Sequence, residues 1–214
     1  QGFYGKPRVD LALLRQHSEG LIALSACLAG EIPRRLRAGD YDGAKAYALE
    51  LSGIFGPEHF YLELQDHGIP EQREVNRGLL RIAQETGLPL VATNDAHYLT
   101  REDSELQDVL LCIQTGKTLD DPNRMRFETQ EFYLKSEDEM RALFPALPEA
   151  LENTQRIADR CKVEFEFNHY HLPAFTPPDG SDSLTYFRRM CDEGFRERYP
   201  DAPAGYRERL EYEM

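Results

Sequence analysis

The sequence predicts an α/β fold whose βα units form a parallel sheet or barrel, followed by a mainly helical segment. Apolar, strand-like runs alternate with amphipathic helical patterns in the order strand, helix, strand, helix, strand. The connections between them are only a few residues long, which is typical of βα units. Polar residues follow each run at its carboxyl end, where sites form in such folds.

The first predicted strand is a continuous apolar run at residues 21–26, which follows a short helix capped by Asp10. Because the run shows no alternation, it is typical of a strand that is covered on both faces. Cys27 follows the run, and a thiolate at this point is a candidate metal ligand. A lone cysteine is more often a small buried hydrophobic residue, and that interpretation is favoured for Cys27 taken by itself.

The second predicted strand, at residues 59–65, lies between two predicted helices. Asp40 caps the first helix, which ends before Gly56, and the second extends from Pro70 to Gly87. Asp66 and His67 follow the strand and could reach a site at its end. The run Asp-His-Gly is also an ordinary turn, and the turn is the favoured interpretation.

The third predicted strand opens at Leu90 and ends in a group of polar residues. Asp95 and His97 are two positions apart, so on extended backbone their side chains point to the same side. Both are ligands for divalent ions and both perform acid–base chemistry. The alternative is a polar strand end in which a backbone carbonyl satisfies His97. Asn94 is a candidate supporting partner for the site, with a plain turn residue as the equal alternative.

The shared position of these candidates argues for a site more strongly than any one motif. In parallel α/β folds the carboxyl ends of the strands converge on one face. All the candidates fall at such ends: Cys27, Asp66, His67, Asp95 and His97. This coincidence favours a metal site over a set of unrelated strand ends.

The rest of the first 168 residues is predicted to contain further helices and two short strands. The predicted elements are a helix at 101–114 with Leu106, Leu110 and Ile113 inward, a strand at 131–135, a helix from the capping box of Ser136 and Glu139, a helix from Pro148 with Leu151, Thr154, Ile157, Ala158 and Cys161 buried, and a strand at 163–167. Arg124 and Arg126 are candidates for phosphate contacts. Exposed arginines are more often simply solvated, and that interpretation is favoured.

A proline-rich stretch at residues 169–180 is the predicted domain boundary. His169 and His171 within it are interpreted as surface residues. An amphipathic helix capped near Asp182 follows, and another helical pattern begins at Tyr206. Because that pattern is still open at the last residue and the first residue is glutamine, we expect a segment of a longer chain.

The composition and net charge limit the classes of protein and ligand that the chain can represent. The 214 residues are 41% hydrophobic and 29% charged, which is enough apolar material for a core. A net charge of −13 should repel a phosphate backbone, although an acidic face can hold metal ions. The four cysteines form no C-x-x-C pair, which favours reduced, intracellular thiols. No apolar run is long enough to span a bilayer, and no signal peptide is evident.

Five motifs stand in order along the chain: GLIALSACLAGEIP at 20–33, YLELQDHG at 61–68, VATNDAHY at 91–98, TLDDP at 118–122 and PEALENT at 148–154. Together they resemble the alpha subunit of bacterial DNA polymerase III, the C-family replicative polymerase. The resemblance covers essentially the whole chain. It implies that residues 1–168 are the carboxy-terminal part of a PHP (polymerase and histidinol phosphatase) domain, which is a distorted βα barrel. Residues 169–180 would be a linker, and residues 181–214 the start of the polymerase core, in the palm region.

The resemblance also implies a metal site. The family builds its cluster from His, Asp, Glu and Cys ligands at the barrel mouth, and Cys27, Asp95 and His97 match motif positions of that cluster. Some family members have lost these ligands, so their retention favours an intact site. The family's early histidine-rich motifs are not in this chain, which would therefore carry part of the cluster, with Asn94, Asp66 and His67 as supporting candidates.

Activity, cofactors and partners follow as expectations. Zinc or other divalent ions in the PHP site would support phosphodiester hydrolysis as a proofreading 3′–5′ exonuclease. DNA-directed DNA synthesis would belong to the full chain, with magnesium bound outside this segment, and the segment alone is expected to be inactive. The implied partners are DNA, the sliding clamp, a proofreading exonuclease subunit and a clamp-loader subunit. The implied location is the cytoplasm, without a membrane.

Two alternatives stay open. The PHP domain could be a catalytically inert structural platform within the same polymerase. The chain could instead come from a free-standing PHP phosphoesterase that acts on a small phosphate ester. The motifs at 118–122 and 148–154 disfavour the second alternative, because they resemble the polymerase.

Overall fold

The computed structural model describes residues 5–170 and 172–214, which fall into two compact units that divide between Lys162 and Val163. His171 lies outside the described residues. The elements of the first unit are α1 (Leu11–Gln16), β1 (Ala23–Leu24), α2 (Glu31–Arg37), α3 (Tyr41–Phe55), β2 (Phe60–Leu64), α4 (Pro70–Thr86), β3 (Leu90–Ala92), a 3₁₀ turn (Arg101–Asp103), α5 (Ser104–Thr115), α6 (Glu137–Leu143) and α7 (Pro148–Arg160). Those of the second unit are α8 (Ser183–Arg198) and α9 (Ala204–Glu213).

The described strands form one parallel sheet in the order β1-β2-β3. Ala23 pairs with Phe60, and Leu62 pairs with Leu90. Each crossover between neighbouring strands contains a helix, as parallel pairing requires. The predicted α/β class and the mutually parallel strands are therefore confirmed, and all three carboxyl ends lie at the same edge.

One face of the sheet packs against helices. Phe60, Leu62 and Leu64 of β2 have no accessible surface, because they pack with the apolar stripes of α3 and α4. The buried stripe residues are Ala44 and Ala48 of α3 with Val75, Leu79 and Ile82 of α4. Helical periodicity in the sequence accounts for both stripes, since apolar residues three and four apart share one face.

Polar caps set the starts of several helices, as the sequence predicted. Asp10 accepts a hydrogen bond from the amide of Leu13, and Asp40 accepts one from the amide of Gly43. Asp182 caps α8 in the same way. Each such side chain satisfies an amide that has no partner within its helix.

Helix α2 was not predicted. Helix α2 packs against α4 at Gly78, where a Cβ atom would lie only 2.8 Å from Cδ2 of Leu36 in α2. The missing side chain lets the two helices approach closely. The sequence signal was weak, since α2 has only seven residues and includes Pro33.

Two predicted strands are wrong. Residues 131–135 contribute a single parallel bridge between Tyr98 and Tyr133, and residues 163–167 form no strand. The side chains of Val163, Phe165 and Phe167 are exposed. Alternation produces a strand only where a neighbouring strand supplies the hydrogen bonds.

The buried faces of two helices also differ from prediction. Leu106, Leu110 and Ile113 of α5 are exposed, and Leu111 and Cys112 are buried instead. In α7 the buried residues are Ala150 and Asn153, whereas the predicted Thr154, Ala158 and Cys161 are exposed. Helix α7 packs on β3, where Asn153 donates a hydrogen bond of 2.7 Å to the carbonyl of Leu90, and this contact selects its buried face.

In the second unit, Arg207 of α9 pairs with Asp192 of α8 at 2.7 Å. The centroids of the Tyr199 and Tyr206 rings lie 5.8 Å apart.

No helix in the described part of the chain combines the length and apolar character that a bilayer crossing requires.

Candidate metal centre

Asp95 and His97 lie in the loop that continues β3, and both side chains are partly exposed. Their Oδ1 and Nδ1 atoms are 3.9 Å apart. Asp95 has a φ of +49°, in the left-handed region, so the chain turns sharply at this point. The turn keeps the carboxylate and the imidazole adjacent, as the sequence predicted, although the backbone between them is not an extended strand.

A backbone hydrogen bond determines which nitrogen of His97 is available. Nδ1 lies 2.7 Å from the carbonyl oxygen of Asp95. A carbonyl can only accept, so Nδ1 of the neutral ring carries the proton and Nε2 keeps its lone pair. This arrangement is typical of metal-binding histidines, in which one nitrogen is held by a carbonyl and the other binds the ion.

Aromatic side chains hold the imidazole of His97. Its centroid lies 4.7 Å from that of Phe127 and 5.8 Å from that of Phe132, and the amide of His97 donates to the carbonyl of Phe132 at 2.7 Å. These contacts anchor one side of the ring. They restrict its rotation before any ion binds.

His67 is completely buried, and both ring nitrogens have partners. Nε2 donates to the carbonyl of Asn94 at 2.5 Å, and Nδ1 accepts from Nε2 of Gln72 at 2.8 Å. The ring stacks on Phe132 at 4.1 Å. No lone pair is left for a metal, so His67 can act only by supporting the loop that carries Asp95.

Asn94 and Asp66 are also engaged in local structure. The amide nitrogen of Asn94 donates to the carbonyl of Tyr133. Asp66 accepts from the amide of Gly68 at 2.9 Å, which forms the turn that the sequence favoured. Their supporting role towards a metal stays a prediction.

Cys27 is partly buried at the carboxyl end of β1. It lines a cavity of about 10 Å³, together with Glu63 and Gln65 of β2 and its extension. Ala26, immediately before it, has a φ of +65°. The cysteine thus stands at the predicted edge of the sheet, beside a carboxylate that the sequence analysis did not select.

The sequence analysis missed a polar cluster formed by Glu63, Gln65 and Thr93 on the face of the sheet opposite to the core. A signal was present, since Glu63 stands between two leucines in the second predicted strand. Alternation along a strand sends Glu63 to the opposite face from Leu62 and Leu64. A charge at such a position requires partners, and the structure supplies them.

The donor types suit a divalent ion, but the described residues supply only part of a ligand set. Cys, Asp and His are the ligands that zinc accepts in proteins. Within residues 5–170 and 172–214, no three His, Cys, Asp or Glu side chains lie close enough together to hold a metal. Asp95 and His97 are together, whereas Cys27 lines a cavity to which neither of them contributes. The assignment of all three as ligands stays a prediction.

Arg124 was a candidate for a phosphate contact, with a solvated arginine as the favoured interpretation, but its side chain is mostly buried and bonded within the fold. Its guanidinium pairs with Asp108 of α5 and donates to the carbonyl of Leu119 at 3.0 Å. Arg126 is exposed and lines a cleft of about 220 Å³ that also contains Glu105 and Glu128. The neighbouring carboxylates oppose a phosphate there, and DNA contact by either arginine remains untested.

A hydrogen-bonded pair beside the candidate site has shifted pKa values. The hydroxyl of Tyr133 donates to Glu139 at 2.6 Å. This bond, together with the amide and hydroxyl of Ser136, lowers the pKa of Glu139 to about 2. The same bond raises the pKa of Tyr133, and burial adds to the effect. Because the backbone carbonyl of Tyr133 accepts from Asn94, the pair helps to hold the site loop.

The amino-terminal part of the chain matches a model of the PHP domain at residues 1–67. Curated relatives match over nearly the whole chain. The DNA polymerase III subunit alpha of Treponema pallidum is 44% identical over 215 residues, which are 100% of this chain and 18% of the relative. That of Thermus aquaticus is 44% identical over 98% of this chain and 18% of its own length. That of Mycobacterium tuberculosis strain H37Rv is 41% identical over 97% of this chain.

The chain spans about a fifth of the length of these curated relatives. The similarity therefore concerns one region of each. Within that region the similarity extends over this whole chain, as the alignment with the Treponema protein shows.

Proposed function

We propose that this chain is a segment of a bacterial DNA polymerase III alpha subunit and that its first unit is the later part of a PHP domain with a metal-dependent phosphodiesterase site. The full-length protein would synthesise DNA on a template. The segment itself would supply some of the metal ligands and no polymerase catalytic residue.

The observation that carries the proposal is the 44% identity over the whole chain to a single region of DNA polymerase III alpha subunits. Similarity to a free-standing phosphoesterase would be expected to end with the barrel. Here it continues through both units. The parallel sheet with polar residues at its carboxyl edge agrees with a PHP domain.

Asp95 and His97 would bind a divalent ion through the carboxylate and Nε2, and Cys27 would contribute a thiolate from the neighbouring strand end. A bound zinc-like ion would lower the pKa of a water molecule and neutralise charge on a scissile phosphate. His67 would hold the carbonyl of Asn94, and through it the loop that presents Asp95. The remaining donors would come from other parts of the full-length protein.

The polymerase assignment is tested by primer extension. The full-length protein, incubated with primed template, deoxynucleoside triphosphates and magnesium, should extend the primer. A protein that extended no primer but hydrolysed a small phosphate ester would contradict the assignment and favour a free-standing phosphoesterase. DNA binding, the sliding clamp, the proofreading exonuclease subunit and the clamp-loader subunit belong to the same proposal.

The metal assignment is tested by Asp95→Asn in the full-length protein. This change keeps the shape of the side chain but removes the anion, so zinc affinity and 3′–5′ exonuclease activity should fall together by about ten-fold or more. Primer extension should change less. Asp42→Asn, at an exposed position of α3, is the matched control. If Asp95→Asn kept both metal and exonuclease activity, the PHP domain as an inert structural platform would be the better account.

A further inference from the structure

Glu63 connects the ends of the three parallel strands. Its carboxylate lies on the sheet face opposite to the core, since its neighbours Leu62 and Leu64 are fully buried in that core. Oε2 accepts from the backbone amide of Ala26, after β1, at 3.2 Å. Oε1 accepts from the hydroxyl of Thr93, after β3, at 2.5 Å.

Three further hydrogen bonds complete this cluster. Gln65 Nε2 donates to Oε1 of Glu63 at 3.1 Å and to the hydroxyl of Thr93 at 3.2 Å. The hydroxyl of Ser25 accepts from the backbone amide of Glu63 at 2.8 Å. The carboxyl end of each strand therefore contributes at least one hydrogen-bonding group. The carboxylate of Glu63 is the group that bonds to residues after both outer strands, β1 and β3.

The cluster adjoins the candidate ligands on both sides. Ala26, which donates to Glu63, immediately precedes Cys27, and Thr93 is two residues before Asp95. Ala26 and Asp95 both have positive φ values, of +65° and +49°. Residues with a Cβ adopt this conformation rarely, so other interactions must hold it. The hydrogen bond from Ala26 to Glu63 is one such interaction.

The cavity beside Cys27 provides an independent observation. Gln65 and Glu63 line it together with the cysteine, and its volume of about 10 Å³ is close to the space that one water molecule needs. Gln65 is more than nine-tenths buried, and its Oε1 atom is buried without a hydrogen-bond partner among the described residues. The cluster thus retains a buried acceptor without a partner at a cavity that Cys27 also lines, next to the apolar side chains of Leu28, Pro33 and Val75.

We propose that Glu63 is a positioning residue that holds Cys27 and Asp95 at a fixed separation, so that ligands on two different strands can bind one metal centre. This inference rests on the proposed metal site and deepens it. Glu63 would not touch the ion. It would act through the amide of Ala26 and the hydroxyl of Thr93.

Glu63→Gln in the full-length protein tests the proposal. The amide has the shape of the carboxylate but turns one oxygen into a donor, which would then face either the amide of Ala26 or the hydroxyl of Thr93. Cobalt titration is the readout, because a cobalt–thiolate bond produces a charge-transfer absorption band. We expect cobalt affinity to fall about ten- to a hundred-fold, as for other partners of metal ligands. The thiolate band should weaken even at saturating cobalt.

Control variants make each outcome decisive. Cys27→Ser should abolish the band and thereby assign it to this cysteine, and Glu74→Gln, at an exposed position of α4, should change nothing. If Glu63→Gln fails to fold, Thr93→Val tests the same linkage from the β3 side, because valine lacks the hydroxyl that donates to Glu63. Thr93→Val should reduce cobalt affinity, and Thr93→Ser, which keeps the hydroxyl, should retain it.

The two proposals fail differently. Wild-type affinity and an unchanged thiolate band in Glu63→Gln or in a folded Thr93→Val variant would overturn the role of Glu63, while loss of cobalt in Asp95→Asn would leave the metal site standing. A wild-type protein that bound no cobalt would overturn the metal site itself, and the role of Glu63 with it.

Discussion

At the residue scale, hydrogen bonds decide which of two neighbouring imidazoles can bind a metal. His67 and His97 both follow parallel strands, but Nε2 of His67 donates to a carbonyl while Nδ1 accepts from Gln72. In His97 the carbonyl holds Nδ1 and leaves Nε2 available. The buried histidine is therefore part of the framework, and the exposed histidine is the candidate ligand.

Replacing His67 by Phe should destabilise the loop at residues 93–98. The change keeps an aromatic ring on Phe132 but leaves the carbonyl of Asn94 and the amide of Gln72 without partners. Each unsatisfied buried group costs about 1–3 kcal/mol, so for these two groups we expect a loss of about 2–6 kcal/mol. Hydrogen exchange of the loop amides in the full-length protein measures the local opening free energy.

The matched control for this prediction is His17→Phe, at an exposed position after α1. It should leave exchange of the loop unchanged. Equal exchange in wild type and His67→Phe would mean that the buried hydrogen bonds of His67 do not hold the loop.

At the scale of a single element, α6 shows how a capping box connects local sequence to tertiary contacts. Ser136 and Glu139 exchange hydrogen bonds across the first turn, as the sequence predicted. The hydroxyl of Tyr133 adds a bond to the same carboxylate. The negative charge of Glu139 at the helix start also interacts favourably with the helix dipole.

The stability of α6 should depend on pH through Glu139. Its folded pKa is lowered from 4.5 to about 2, so its contribution is present above pH 4.5 and is lost as the pH falls from 4.5 towards 2. Glu139→Gln should remove this part of the pH dependence. Hydrogen exchange of residues 136–144 in the full-length protein, compared across that range, measures the difference.

Asp138→Asn changes a carboxylate of the same helical turn and serves as the control. It should retain the acid-induced loss that Glu139 causes. A Glu139→Gln protein with the same pH profile as wild type would show that the bonds from Tyr133 and Ser136 do not stabilise the ionised carboxylate.

At the scale of the whole molecule, the chain divides after Lys162, and the segment that follows is rich in exposed aromatic residues. Phe165, Phe167 and Tyr170 are 75%, 80% and 86% exposed, whereas Phe60 and Phe132 of the first unit are buried. The segment has no helix or strand before α8 among the described residues. The predicted linker at 169–180 lies within it, and the exact domain boundary stays a prediction.

Chymotrypsin should therefore cut the native full-length protein at residues 165–170 before it cuts the first unit. Proteases need an extended, accessible backbone, and exposed segments without regular structure provide it. Mass spectrometry of the first products identifies the bonds. Replacing Phe165, Phe167 and Tyr170 by Ser should slow this cleavage. First cuts within α3 or α4 instead would contradict the two-unit organisation.

Much of the fold was predictable because its signals are local. Helix starts at Asp10, Asp40 and Ser136 follow from side chains three residues away from the amides they cap. The stripes of α3 and α4 follow from periodicity, and the parallel sheet follows from the alternation of short apolar runs with helices. These patterns depend on residues that are close in the chain.

The candidate site was only partly predictable. The spacing of Asp95 and His97 placed a carboxylate beside an imidazole, and that pairing is observed. The sequence could not indicate that His67 is saturated or that Glu63 reaches both Ala26 and Thr93. The bonds of His67 with Asn94 and of Glu63 with Thr93 and Ala26 join residues 27, 30 and 37 positions apart.

The sequence by itself determined where several helices begin and which polar residues stand at the strand ends. Its prediction that residues 21–26 form a strand covered on both faces is wrong, since β1 is limited to Ala23–Leu24 and Leu24 is 37% exposed. Tertiary structure alone decided which face of α5 is buried, that residues 163–167 form no strand, and which nitrogen of each histidine is available. The reason is physical: periodicity and capping act over a few residues, whereas burial and hydrogen-bond saturation depend on partners that only the folded chain brings together.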